Sequence, residues 1–294
     1  MTTQSNAGTA SGTLGSIPDP ASYQSRVVEA AGLRLHYLDY GTGARPPMLC
    51  VHGGAAHAHW FDFVAPGFVA NYHVRSLDLR GHGDSEWADP PDYGYGRFAQ
   101  DLSQVVERLD LRDFVLVGHS MGGMISLLYA ATYPGRVARL VVVDSTLQMT
   151  EERVANLRGV GNREGRRYAS SDEFVASYKL RPAGTMAAPE VIGHLARMSG
   201  RRSDDGMWRH KFDRNIYARR ESVNGYPCWD RIRIPALLVK GDRSARISPQ
   251  VFAEVKSHCP QVELAEVSDS DHHVTLDNPT GFVHAVNAFL AKHA

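Results

Sequence analysis

Four apolar residues, Phe114-Val115-Leu116-Val117, lead without a break into Gly118-His119-Ser120-Met121-Gly122-Gly123, and a helical pattern follows to Tyr133. That succession is the tightest constraint in the chain. A strand that turns directly into a helix leaves no room for large side chains beside the corner, so glycines flank it. The pattern G-x-S-x-G puts one serine on the exposed tip of such a corner. The helix that follows aims free N–H groups and the positive end of its dipole at the same point. The segment therefore predicts a buried strand, a sharp turn with Ser120 at its apex, and a nucleophile over the sheet end.

The rest of the chain fits a sheet around that strand. Residues 26–29 and 33–38 flank Ala30-Ala31-Gly32, the pattern of a hairpin. Strand-like runs recur at 48–51, 74–79, 140–143, 236–240 and 262–267, those at 48–51, 140–143 and 236–239 unbroken and apolar. Helical spacing fills residues 98–111, 249–258 and 281–292. Continuous apolar runs alternating with helices predict an α/β fold, a mostly parallel central sheet with helices on both faces. The rhythm stops between 146 and 233, which reads as a weakly helical insertion. Core segments are expected at 26–145 and 234–294. Residues 1–25, rich in Thr, Ser, Gly and Ala, are expected to form a tail without stable structure. The insertion should cross the C-terminal edge of the sheet, where open α/β sheets bind ligands.

Composition narrows the function. Lys plus Arg equals Asp plus Glu, at 32 each, so a nucleic-acid partner is not expected. No apolar run approaches the roughly 18 residues of a membrane span. Cys50, Cys228 and Cys259 are too few and too scattered for a disulfide framework and read as reduced thiols, which suits a cytoplasmic protein. A small-molecule substrate is the expected partner. The oligomeric state stays open.

Four motifs together resemble the α/β-hydrolase fold family: His52-Gly53-Gly54, the run from Asp78 to Ser85, Gly118 to Gly123, and Asp271-His272 with Asp277-Asn278-Pro279. The run Asp78-Leu79-Arg80-Gly81-His82-Gly83-Asp84-Ser85 is similar to the epoxide-hydrolase-like and C–C-hydrolase-like branch of that family. The resemblance spans residues 26–290. It implies that 78–85 is a structural turn and that the insertion is a cap.

A serine hydroxyl needs a base within reach. The resemblance points to His272, after the last strand, with His273 as its neighbouring rival. Asp271 stands where the family often has Gly, and its charge is expected to raise the pKa of the base. The triad acid usually follows the seventh strand, but Lys240-Gly241-Asp242-Arg243-Ser244 puts Ser244 at that position. Asp144, ending the sixth strand, is the expected acid, and Asp242 is the alternative. The N–H groups of Gly54 and Met121 should form the oxyanion hole, with Ala55 as a substitute for Gly54.

His119, Trp60, Trp208 and Tyr217 are candidate pocket residues, and Tyr226 and Trp229 are further aromatic choices. His57 and His59 alternate like metal ligands but read as pocket lining or surface, and neither metal nor organic cofactor is required. Residues 147–233 hold 17 Lys plus Arg against 11 Asp plus Glu, a charge that suits either an anionic substrate or a plain solvated surface. The expected function is a serine hydrolase acting on a carboxylic ester, lactone or thioester through an acyl-enzyme. Alternatives are hydrolysis of a C–C bond in a β-diketone-like substrate, cofactor-independent dioxygenation, and ligand binding without catalysis.

Overall fold

The computed structural model describes residues 22–41 and 43–294. Residues 1–21, into which most of the expected tail falls, and Thr42 lie outside it. The first strand, β1 (Gln24–Ala30), begins two residues before the expected boundary and pairs antiparallel with β2 (Leu33–Asp39). Ala31 and Gly32 between them both have positive φ, 54° and 75°. That is the backbone of a two-residue hairpin turn whose twist matches its strands.

The chain continues through β3 (Pro47–Val51), β4 (His73–Leu77), helix α1 (Tyr95–Arg108), β5 (Phe114–His119), α2 (Met121–Thr132) and β6 (Val137–Val143). It returns to the sheet at β7 (Ala236–Gly241) after a long excursion. The excursion contains α3 (Glu151–Gly161), α4 (Ser171–Ser177) and α5 (Pro189–Ser199). Then come α6 (Pro249–His258), β8 (Glu263–Val267) and α7 (Pro279–Lys292). The eight strands are ordered β1-β2-β4-β3-β5-β6-β7-β8. Only the pairs β1–β2 and β2–β4 are antiparallel. β5 lies inside the sheet between β3 and β6, so its end, where Ser120 sits, is flanked by strand ends on both sides.

Strand alternation divides the core into two layers. Leu49, Leu116, Leu140 and Leu238 face one side, packed with Leu102 of α1 and Ile125 of α2. Cys50, Val117, Val141 and Val239 face the other, packed with Phe282 and Val286 of α7. Both faces are covered over β3, β5 and β7 and the second half of β6, which is why these read as unbroken apolar runs.

The segment from Asp78 to Ser85 ties several elements together. The buried Asp78 carboxylate accepts hydrogen bonds from His36 Nδ1 at 2.7 Å, Ala58 N at 2.6 Å and Asp84 N at 3.0 Å. Arg80, also buried, makes a two-pronged ion pair with Asp101 of α1. The excursion also holds two short antiparallel ladders, Gln148–Met149 with Val223–Asn224 and Gly200–Arg202 with Trp208–His210. No strand is expected there from the sequence, since two or three residues are too few to show a period of two.

The corner at Ser120 depends on close approach. A Cβ on Gly122 would collide with the carbonyl oxygens of Val51 and His52, and one on Gly118 with the carbonyl of Gly122. By contrast, a Cβ on Gly159, in exposed α3, would meet nothing within 4 Å. Gly122→Ala is therefore expected to destabilise the fold by about 2 kcal/mol or more, and Gly159→Ala to stabilise it by about 0.5–1 kcal/mol. Urea unfolding of the two variants checks this. Equal midpoints would refute the steric account of the corner.

Candidate active site

Ser120 follows β5 directly and caps α2, with φ 54° and ψ −118°. This is a left-handed conformation that a side chain adopts only under constraint, at a cost of about 1–3 kcal/mol. Three contacts impose it. Ser120 N donates to Val143 O at 2.8 Å, which ties the corner to the end of β6. Gly118 and Gly122 let the helix close onto the strand. Gly53 lies so near that a Cβ there would sit 3.1 Å from the Ser120 Cβ and 3.5 Å from its Oγ.

His272 lies in the loop after β8, and its Nδ1 donates to Asp144 Oδ2 at 2.7 Å. Asp144 follows β6 with φ 42° and is fully buried. Its own N–H donates to Val239 O of β7 at 2.7 Å, so the backbone holds the carboxylate between two strand ends. The same Oδ2 accepts from Ser244 Oγ at 2.8 Å, and Arg246 Nε lies 3.5 Å away. Ser244 thus reaches across from the end of β7 to bond Asp144 at the end of β6.

Burial pushes the Asp144 carboxyl up, against the pull of the Ser244 hydroxyl and Arg246. Burial, then the positive charge of Arg246, lowers the His272 pKa to about 2. Burial therefore favours the neutral ring, whose Nδ1–H faces Asp144 and whose Nε2 carries the lone pair. Among the described residues neither Ser120 Oγ nor His272 Nε2 has a hydrogen-bond partner, although both line one cavity. Contacts of this kind commonly tighten only when substrate arrives.

Several expectations change here. Asp242 is exposed, and its carboxylate accepts from Ser270 N at 3.0 Å; it shapes the turn after β7 and does not join His272. Asp271 does not raise the pKa of His272. Its carboxylate turns back to accept from His272 N at 2.8 Å, and the burial of the ring dominates. His273 faces the excursion, where its Nε2 donates to Pro182 O at 2.8 Å. His119 Nε2 donates to His272 O at 2.8 Å, so the residue before Ser120 holds the backbone of the base loop.

Ser120 and His272 open on a cavity of about 330 Å³. Gly54, Met121 and Tyr217 line it, with Tyr95 from α1 and Leu157 and Val160 from α3. A narrower recess beside it is lined by His119, Trp60, Ala55, His210 and Phe212. Trp208 reaches neither. Its backbone is paired with Tyr168 in both directions, at 2.8 and 3.0 Å, and its ladder brings His210 to the wall instead. Trp229 is fully buried core, and Tyr226 packs beside His258 away from the cavity.

His57 and His59 are buried and line neither space. His57 bonds Ser199 Oγ at 2.7 Å. His59 meets two further donor groups, Asp62 and His194, but Asp62 already joins both rings and the Tyr40 hydroxyl in one network. His119, His272 and His273 also gather within metal-ligand distance, as do His36, Asp78 and Asp84.

Three arginines of the larger cavity, Arg181, Arg220 and Arg246, escape a reading of the sequence. Arg219-Arg220-Glu221 looks like ordinary surface charge, and only the fold shows that Arg220 points inward.

Residues 46–279 match the family model of the alpha/beta hydrolase fold, and the chain belongs to that family. It is 29% identical to an sn-1-specific diacylglycerol lipase of Mus musculus, over 92% of this chain and 90% of the relative. It is also 29% identical to an esterase of Mycobacterium tuberculosis, over 95% of this chain and 91% of the relative. Among solved structures, an E-2-(acetamidomethylene)succinate hydrolase superposes with a TM-score of 0.80 at 23% identity, covering 92% of this chain and 100% of the other. Among the described residues no helix is long and apolar enough to cross a membrane.

Arg246 holds down the pKa values of both Asp144 and His272. Removing its charge in Arg246→Gln should make the pair take up its next proton at higher pH. Titration of the His272 ring signals by NMR checks this, and an unmoved or lowered transition would contradict it.

Proposed function

We propose that the protein is a serine hydrolase that cleaves a carboxylic ester, lactone or thioester of a small molecule through an acyl-enzyme. One observation carries the reading. A half-buried serine on a strained corner shares a cavity with a histidine whose far nitrogen is held 2.7 Å from a buried carboxylate. The lipase- and esterase-named relatives support an ester over a carbon–carbon bond.

In this mechanism Ser120 Oγ attacks the carbonyl carbon while His272 Nε2 takes its proton. The ring becomes imidazolium with both nitrogens protonated, and Asp144 stabilises that cation and fixes its orientation. The oxyanion accepts hydrogen bonds from the N–H groups of Met121 and Gly54. Neither group donates elsewhere among the described residues, and Met121 N–H stands at the positive end of α2. His272 returns its proton to the leaving oxygen or sulfur. Water then attacks the acyl-enzyme, with His272 again as base, and Ser120 is regenerated. The excursion between β6 and β7 acts as the cap, since it supplies Leu157, Val160 and Tyr217 to the cavity wall.

Ser120→Ala is expected to lower kcat on 4-nitrophenyl esters by about 10⁶-fold with the fold retained. Asp144→Asn should lower it by about 10⁴-fold, because the amide imposes the wrong proton pattern on Nδ1. Asp242→Asn should change it less than tenfold. A Ser120→Ala protein keeping a tenth of the rate would end the acyl-enzyme reading, and a dead Asp242→Asn beside an active Asp144→Asn would reassign the acid.

A further inference from the structure

Arg220 is 3% exposed, yet among the described residues no carboxylate oxygen lies within 4.0 Å of its guanidinium. Its Nη1 touches Met121 Sδ at 2.9 Å, and its Nε has no partner. The rings of Tyr95 and Tyr217 lie 5.4 and 5.8 Å from its central carbon. The next residue, Glu221, does not neutralise it; that carboxylate turns toward Gly94. A thioether and two ring faces recover only part of what a guanidinium loses on leaving water. A buried charge without a counterion is a standing cost to the fold.

The location of that charge is informative. Arg220 lines the cavity that holds Ser120, and a Cβ on Gly54 would lie 3.4 Å from its Nη2. The bare backbone at Gly54 leaves the guanidinium open toward the acyl site. Arg181 and Arg246 line the same cavity. Arg246 has a counterion there: Asp144 Oδ2 lies 3.5 Å from its Nε, and that carboxylate is further engaged by His272 and Ser244. Arg181 is exposed to solvent and Arg246 is paired, so Arg220 is the buried charge of this wall that has no anion among the described residues.

We propose that this cavity takes a substrate whose acyl chain carries a carboxylate, and that Arg220 is the residue that binds it. The proposal rests on the hydrolytic reading of Ser120 and narrows its substrate class. A guanidinium fork matches the two oxygens of a carboxylate, and the pair is strongest when water is excluded. A neutral substrate leaves Arg220 unpaired in the occupied cavity. A carboxylate at the far end of the acyl chain pairs it while the carbonyl lies at Ser120.

The test compares kcat/KM for mono-4-nitrophenyl glutarate and 4-nitrophenyl butyrate in the wild type, Arg220→Gln and Arg220→Lys. The wild type should prefer the glutarate ester. Arg220→Gln should reduce the glutarate-to-butyrate ratio by about 100-fold, and Arg220→Lys, which keeps the charge but loses the fork, by less. In parallel, glutarate is titrated calorimetrically into Ser120→Ala and into Ser120→Ala with Arg220→Gln, with circular dichroism to verify folding. Saturable binding to the first and its loss in the second are expected. An unchanged ester ratio, or glutarate binding that is equal or absent in both proteins, would overturn the proposal. If folded wild type hydrolyses neither ester, the hydrolytic reading falls, and the calorimetry still decides whether Arg220 takes a carboxylate.

Discussion

A single carboxylate oxygen, Asp144 Oδ2, gathers the site. It accepts from His272 Nδ1 and Ser244 Oγ and lies beside Arg246 Nε. These groups come from the ends of β6 and β7 and the loop after β8, three neighbouring strands of one sheet. The carboxylate is buried, and its second oxygen has no partner among the described residues. A buried carboxylate with one oxygen unpartnered is costly unless something needs it. In the proposed mechanism the imidazolium that forms on His272 during proton transfer is that need. The rest of the structure is consistent with it: Ser120 N anchors on Val143 O one residue before Asp144, so nucleophile and acid are registered through the same strand.

The main features of the fold were legible because both faces of the sheet are covered. Buried parallel strands have no option but continuous apolar sequence, and the runs at β3, β5, β6 and β7 stand out for that reason. The corner at Ser120 was legible because steric exclusion admits little besides Gly at positions 118 and 122. Asp144 could be ranked above Asp242 from its strand-end position, but the sequence does not show which carboxylate faces inward. That depends on where the chain turns after β7, where Asp242 bends out to cap Ser270 N. Ser244 was visible only as a missing acid. Its role as donor to the relocated acid requires the two strand ends to be adjacent.

The excursion was the least legible part. Its helices are short, its two ladders are two and three residues long, and its charges are mixed. Whether an arginine in such a segment faces water or a cavity is decided by tertiary packing, and periodicity has too little length there to report it. Trp208 shows the error in one direction and Arg220 in the other. Trp208 looked like pocket lining, but its backbone pairs with Tyr168 and it reaches neither the cavity nor its recess, while Arg220, which looked like surface, is buried against the cavity. One positive charge of this segment, that of Arg220, is therefore internal and faces the cavity that holds Ser120.

The most direct test of the central claim, that Asp144 and His272 make Ser120 a nucleophile, is covalent trapping. The folded protein is treated with a fluorophosphonate, and intact mass and peptide mass spectra are recorded for the wild type and for His272→Ala. The account predicts one adduct per chain, located on Ser120, forming in the wild type and slowed by orders of magnitude in His272→Ala. A folded wild-type protein that takes no adduct, takes it on another residue, or reacts equally fast without His272 would contradict it.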